Sequence, residues 1–397
     1  HEFSASERVA RLESRLARIE AHLGLAPEGV PSAPAPVASQ QAADELELEV
    51  GQNWFASVGI VVLALGAGYL LAQPHARLPA AMPSVVGLAV AAGLFFVAHT
   101  WERSFELVAG RLRAAGMLLL HCAILRLFFF GAQTAISIES PLAPALLALT
   151  VVINAAIALH RNSPSLTGVA LITGSSSALA VGSGWWVMAS VLALTVFATA
   201  VTRQRRWPWL APVGAAIVLV TYVLWAVGNP ARGGAFHFVG EPLYAPIALL
   251  LIILVLGALP LLAPAEESEE PSTIVGTLIG CALGYGAFLV HTAAVFPKAF
   301  ATLNVGASAL FVGLAVVYWN KRHRHVSPFF YAMTGYAALS MAIIKWAPVP
   351  ELFVWLSLES LMVVTTAIWF QSRAIVVANF LIYVAIVLAY VFIKKSE

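Results

Sequence analysis

The chain has 397 residues, 60% of them hydrophobic and only 11% charged, whereas an ordinary soluble domain carries about 25% charged residues; with a mean hydropathy of +0.86, these values exclude a soluble globular protein and define a membrane protein. Lys plus Arg at 22 nearly balance Asp plus Glu at 20, which argues against nucleic acid as a partner, since that demands a basic surface. Cys122 and Cys281 both sit inside apolar runs, so neither a disulfide framework nor a Cys-rich metal site is available, and no metal or other cofactor is expected.

Residues 4–24, SASERVARLESRLARIEAHLG, read as a helix. Val9, Leu12, Leu16, Ile19 and Leu23 follow a 3, 4, 3, 4 spacing, the seam of a short coiled coil, and Ser4 with Glu7 suits a capping box. With Val9 at position a, Arg8 and Arg15 fall at g and Glu13 and Glu20 at e, so a parallel homodimer would pair Arg8 with Glu13 and Arg15 with Glu20 of the other copy. The alternative is an amphipathic helix lying on lipid or on its own protein. Residues 25–53 form a Pro/Ala-rich linker and an acidic lead-in, ELELEVGQNW. No secretory signal pattern precedes the membrane region, so the first span is expected to direct insertion.

From residue 54 onward, apolar runs recur at about the 20-residue length that a bilayer requires. The expected spans are 54–73, 80–100, 114–131, 142–160, 165–182, 184–202, 207–228, 243–263, 273–296, 302–319, 328–347, 349–370 and 372–393, about thirteen in all. Only a short Gly/Ser stretch divides the fifth from the sixth. The runs are too long and too evenly apolar for barrel strands, so the expected fold is all-α, a polytopic transmembrane helical bundle. An acidic loop at 264–272, with Glu266, Glu267, Glu269 and Glu270, separates a first transmembrane portion (54–263) from a second (273–393).

Loop charge sets the orientation. One side collects the N-terminal arginines, Arg103, Arg111, Arg113, Arg161, Arg203, Arg205, Arg206, Lys321, Arg322, Arg324 and Arg373; the other has Arg77, Arg232, Lys298, Lys345, Lys394 and Lys395. Fifteen against six places the N-terminus in the cytoplasm by the positive-inside rule. An odd number of spans then puts Lys394 and Lys395 outside.

The segment ELEVGQNWFASVGIVVLALGAGYLL, with Gly51, Trp54, Gly59 and Gly66, follows a coiled-coil helix and a Pro/Ala linker; RQRRWPWLAP comes later, and WLSLESLMVV and SRAIVVANFLIY close the chain with Trp355, Glu359 and Arg373. This layout resembles a bacterial membrane-protein family catalogued as domain of unknown function 2339. AQPHARLP after the first span departs from the basic-aromatic exit usual there. The resemblance implies a multi-pass protein of the bacterial inner (cytoplasmic) membrane and supplies no reaction.

Few polar groups fall within the expected spans: His121, Arg126, Asn154, Ser175 to Ser177, His291, Lys345 and Glu359. At about 1.5 Å of rise per residue, Glu359 and His121 reach a similar depth near mid-membrane, and Arg126 lies nearer the outside. An unpaired carboxylate there is costly, so Glu359 is expected either to pair with Arg126 or His121 or to carry a proton. Glu359, Arg126, His121, Asn154 and His291 are the candidate intramembrane polar site. They would serve as a proton or substrate site, or as interior contacts that fix helix register. His121 and His291 lie far apart in sequence without a metal-ligand or haem-attachment spacing, and Asp44 is the sole aspartate, so metal and enzyme readings are disfavoured. The expected function is a transporter-like protein for a small or lipid-like substrate, with a non-catalytic scaffold of a cell-envelope complex as the alternative.

Overall fold

A computed structural model of the chain describes residues 56–73, 78–129, 134–229, 236–240, 243–258, 261, 271–322, 326–349 and 351–369, together with Ser14, His22, Phe380 and Val384. The chain divides into two units, 1–59 and 60–397. Ser14 and His22 in the first are helical and exposed; the heptad residues Val9, Leu12, Leu16, Ile19 and Leu23 and the linker lie outside the described residues. So does the last expected span, 372–393, apart from Phe380 and Val384, which are helical and exposed.

All regular structure among the described residues is helical. In chain order the helices are α1 (Ala56–Ala72), α2 (Met82–Thr100), α3 (Glu106–Leu125), α4 (Leu142–His160), α5 (Pro164–Val181), α6 (Gly184–Arg205), α7 (Leu210–Ala226) and α8 (Tyr244–Ala258). They continue with α9 (Pro271–Val295), α10 (Phe300–Arg322), α11 (Val326–Trp346) and α12 (Glu351–Trp369). Eight of them, α2 to α6 and α9 to α11, are long and apolar enough to cross a membrane. The apolar helix α7, with 17 residues, spans about 26 Å at 1.5 Å per residue, less than the roughly 30 Å hydrocarbon core. Eight of the thirteen expected spans correspond to helices among the described residues that meet both criteria.

Boundaries follow local chemistry. Ser163 caps α5, accepting from the Leu166 N–H at 3.4 Å ahead of Pro164, and the proline loses no helical bond in the first turn. At the other end Gly182, at φ +73°, donates its N–H to the Ala178 carbonyl, a left-handed cap that separates α5 from α6 where the sequence offered only a Gly/Ser stretch. The third helix departs from expectation: it covers Glu106–Leu125 rather than 114–131. Its start can lie further back because the buried Arg113 guanidinium is satisfied by Glu102 at 2.8 Å and by the Ala98 carbonyl at 3.1 Å. The chain then tightens into i to i+3 turns at Leu127 and Phe128. Within α9, residues Gly280–Gly284 form a π-helical turn, a wider coil carrying the buried Cys281.

Successive helices pack as neighbours, α2 on α3, α4 on α5 and α10 on α11, while α6 touches both α7 and α8. The principal core draws residues from α5 through α12, with Tyr222, Phe288, Phe311 and Tyr318 wholly inside; smaller clusters join α1 to α5. Pro271 and Ser272, expected in the acidic loop, begin α9, and residues before and after the acidic stretch share the principal core. Small residues permit these approaches. A Cβ on Gly174 would stand 2.7 Å from Leu194, and one on Gly214 2.8 Å from the Ala198 methyl. The outward faces carry Leu65, Phe96, Val152 and Val354, side chains suited to contact hydrocarbon rather than water.

Candidate functional site

The structure distributes the candidate polar residues over separate helix contacts. His121 is on α3, Asn154 on α4, and Thr173 and Ser176 on α5; together they make one ladder. His121 Nε2 bonds to Ser176 Oγ, and Ser176 Oγ donates to the Thr173 carbonyl at 3.3 Å. Asn154 Nδ2 donates to Thr173 Oγ1 at 3.1 Å and to the Met117 carbonyl at 3.4 Å, while the Thr173 hydroxyl donates to the Ala170 carbonyl at 3.1 Å. Donor follows acceptor without conflict if His121 is neutral with its proton on Nε2, a tautomer assigned from the network. His121 Nδ1 and Asn154 Oδ1 are then acceptors without a partner among the described residues, in side chains 4% and 0% exposed. Buried polar atoms seldom stay open.

His291 behaves otherwise. Its Nδ1 meets the Tyr222 hydroxyl at 2.6 Å and its Nε2 the Val239 carbonyl at 3.3 Å, with Trp225 and Phe296 against the ring. Both nitrogens are used, Tyr222 donating and Val239 accepting, so the imidazole ties α9 to α7 and to the segment after it.

Glu359 lies in the middle of α12, 5% exposed. Its Oε2 accepts from Ser340 Oγ on α11 at 2.8 Å, and its Oε1 has no partner among the described residues. A second contact between the same helices, Tyr336 to Thr366 at 2.7 Å, fixes their register. The expected pairing with Arg126 does not occur. Arg126, 2% exposed, sits in the turn after α3 and donates to the Phe129 and Gln73 carbonyls at 3.1 and 3.4 Å. Because α3 ends at Leu125, its guanidinium is used where the chain turns, while α12 packs on α11. The pairing of Glu359 with His121 fails likewise, since His121 serves Ser176.

An ion cluster unassigned from the sequence closes one end of the bundle. Glu102, between α2 and α3, meets Arg113 at 2.8 Å, bonds to Arg161 in the turn after α4, and lies 3.9 Å from His99. Desolvation pushes the Glu102 carboxyl up, but the hydrogen bond from Arg161 and the charges of Arg113 and Arg161 outweigh it and hold it below its ordinary value. With Arg205 reaching the Leu159 carbonyl, these contacts bring arginines of α3, of the turn after α4 and of the end of α6 to the same end. The sequence signalled the arginines but not their acid, because Glu102 is one carboxylate among many outside the spans. Ser340 and Tyr222 were equally invisible: a lone hydroxyl in an apolar run has no periodic signature, and only the partner helix gives it a role.

Apolar helices of membrane-crossing length, outward hydrocarbon-compatible faces and hydrogen-bonded polar contacts between helices define a multi-pass helical membrane protein. Within that class, the chain belongs to the family described as "Predicted membrane protein (DUF2339)", whose model matches residues 51–395. No curated protein and no solved structure matches the chain.

Proposed function

We propose that this is a transporter-like protein of the bacterial cytoplasmic membrane, N-terminus in the cytoplasm, that handles a small or lipid-like substrate through the carboxyl group of Glu359. One observation carries this: a buried carboxyl group held by a single serine hydroxyl, with an open oxygen and no cation in ion-pair range among the described residues. A bare charge in that position is expensive, and taking up a proton or a cationic group relieves it. Ser340 keeps the group oriented as it changes state. The loop-charge bias supports the orientation.

The test is a pH jump on proteoliposomes adsorbed to a solid-supported membrane. Wild-type protein is expected to give a transient charge movement that Glu359→Gln abolishes and Ser340→Ala weakens. Identical transients from wild type and Glu359→Gln would defeat the proposal. A second reading rests on the heptad seam, which favours a scaffold dimerised through Val9, Leu12, Leu16, Ile19 and Leu23. It expects cysteine cross-links at the seam between two copies, and no charge movement.

A further inference from the structure

A groove of about 400 Å³ opens between α4, α5 and α6, walled by Val151, Ala155, Ala170, Gly174, Ala193 and Phe197, a volume within the roughly 300–1,000 Å³ of small-molecule sites. It is mostly apolar, but Ser177, Trp186 and, one turn further along α6, Ser190 also line it. Ser177 is 4% exposed, and neither its Oγ nor the Trp186 Nε1 has a hydrogen-bond partner among the described residues. Leaving such a group buried and unsatisfied forfeits its hydration without replacing it. Both belong to one end of the helix pair: Ser177 is one turn before the close of α5 at Val181, and Trp186 is in the first turn of α6 beside the exposed Trp185. Tryptophans gather where hydrocarbon meets headgroups. From Trp186 the wall runs eleven residues to Phe197, about 16 Å, half of the roughly 30 Å hydrocarbon core and so the depth of one leaflet.

We infer that this groove binds one acyl chain of a glycerophospholipid, its ester carbonyl accepting hydrogen bonds from Trp186 Nε1–H and Ser177 Oγ–H at the membrane interface. The indole is donor only and the hydroxyl can donate, so the occupant must bring an acceptor just above its apolar tail. An acyl ester has both in that order. A second copy of the chain fits less well, since a helix in hydrocarbon spends its carbonyls on itself. The inference rests on α4 to α6 and does not depend on Glu359.

The test is photolabelling of the full chain, purified in detergent and titrated with a phosphatidylglycerol that carries a diazirine partway down one acyl chain, with labelled peptides mapped by mass spectrometry. Saturable labelling around Ala193 and Phe197 is expected. Trp186→Phe and Ser177→Ala, which remove one donor each and keep the shape, should each raise the half-saturating concentration about fivefold. Ala189→Trp, which fills the groove, should abolish that labelling while the exposed face of α2 around Phe96 labels as before. Equal labelling of the groove and the α2 face would overturn the inference. So would unchanged titrations in both donor variants, saturation by a diazirine fatty acid but not by the phospholipid, or cross-links between copies at the groove.

Discussion

Gly335 offers the sharpest quantitative test of how the bundle is packed. It lies on α11 against α10, and a Cβ added there would stand 2.7 Å from Val312 Cγ2, 3.1 Å from the Val312 backbone nitrogen and 3.3 Å from Phe311 Cβ. The valine methyl can rotate away. The backbone nitrogen cannot, so the helices must separate by some tenths of an ångström along their shared length. Overpacking of this kind costs about 1–3 kcal/mol, partly masked by the roughly 1 kcal/mol that Ala gains over Gly in a helix. Gly286→Ala isolates that gain, because nothing stands within 4 Å of its added Cβ. Measured by thermal or denaturant unfolding in one detergent, Gly335→Ala should be less stable than Gly286→Ala by about 1–3 kcal/mol. A difference under about 0.5 kcal/mol, the usual size of a neutral substitution, would refute the close approach of α10 and α11.

Asn154→Leu should destabilise the protein by about 1 kcal/mol, the scale of interhelical hydrogen bonds in membranes, and in hydrogen exchange the loosening should appear in α4 and α5. Tyr222→Phe removes the donor to His291 Nδ1 and should cost about 1 kcal/mol, measured in the same unfolding assay, whereas Tyr336→Phe should uncouple α11 from α12 without affecting α9. The Glu102 carboxyl is held below its ordinary value, so its contribution to stability is complete above the unfolded-state value of about 4.3 and is lost as pH falls through the lower folded-state value. Acid titration of wild-type stability should show that loss, and Glu102→Gln should lack it.

Hydrophobic run length, with Gly, Pro and Ser punctuation, made the helices legible in the sequence, because hydrocarbon leaves the backbone no alternative to internal hydrogen bonding. The third helix shifted because a run-length argument stops at charges, and Arg113 becomes tolerable inside only when Glu102 and Ala98 reach it. The candidate residues were found for a related reason, since a polar side chain among apolar ones stands out in one dimension. Of their partners only Ser176 did, within its serine triplet; Thr173, Ser340 and Tyr222 are ordinary hydroxyl residues in apolar runs.

Composition and spacing alone determined that this chain is a helical membrane protein, where most of its helices lie and that Glu359 is anomalous, because transfer to hydrocarbon acts on each segment independently of its neighbours. Tertiary structure alone decided that Glu359 meets Ser340 rather than Arg126, that His121 and Asn154 share one ladder, that His291 is satisfied, and that Ser177 and Trp186 face an apolar groove. Those outcomes depend on which helix lies beside which and at what rotation, a property of pairs of helices packed through small residues such as Gly174 and Gly335.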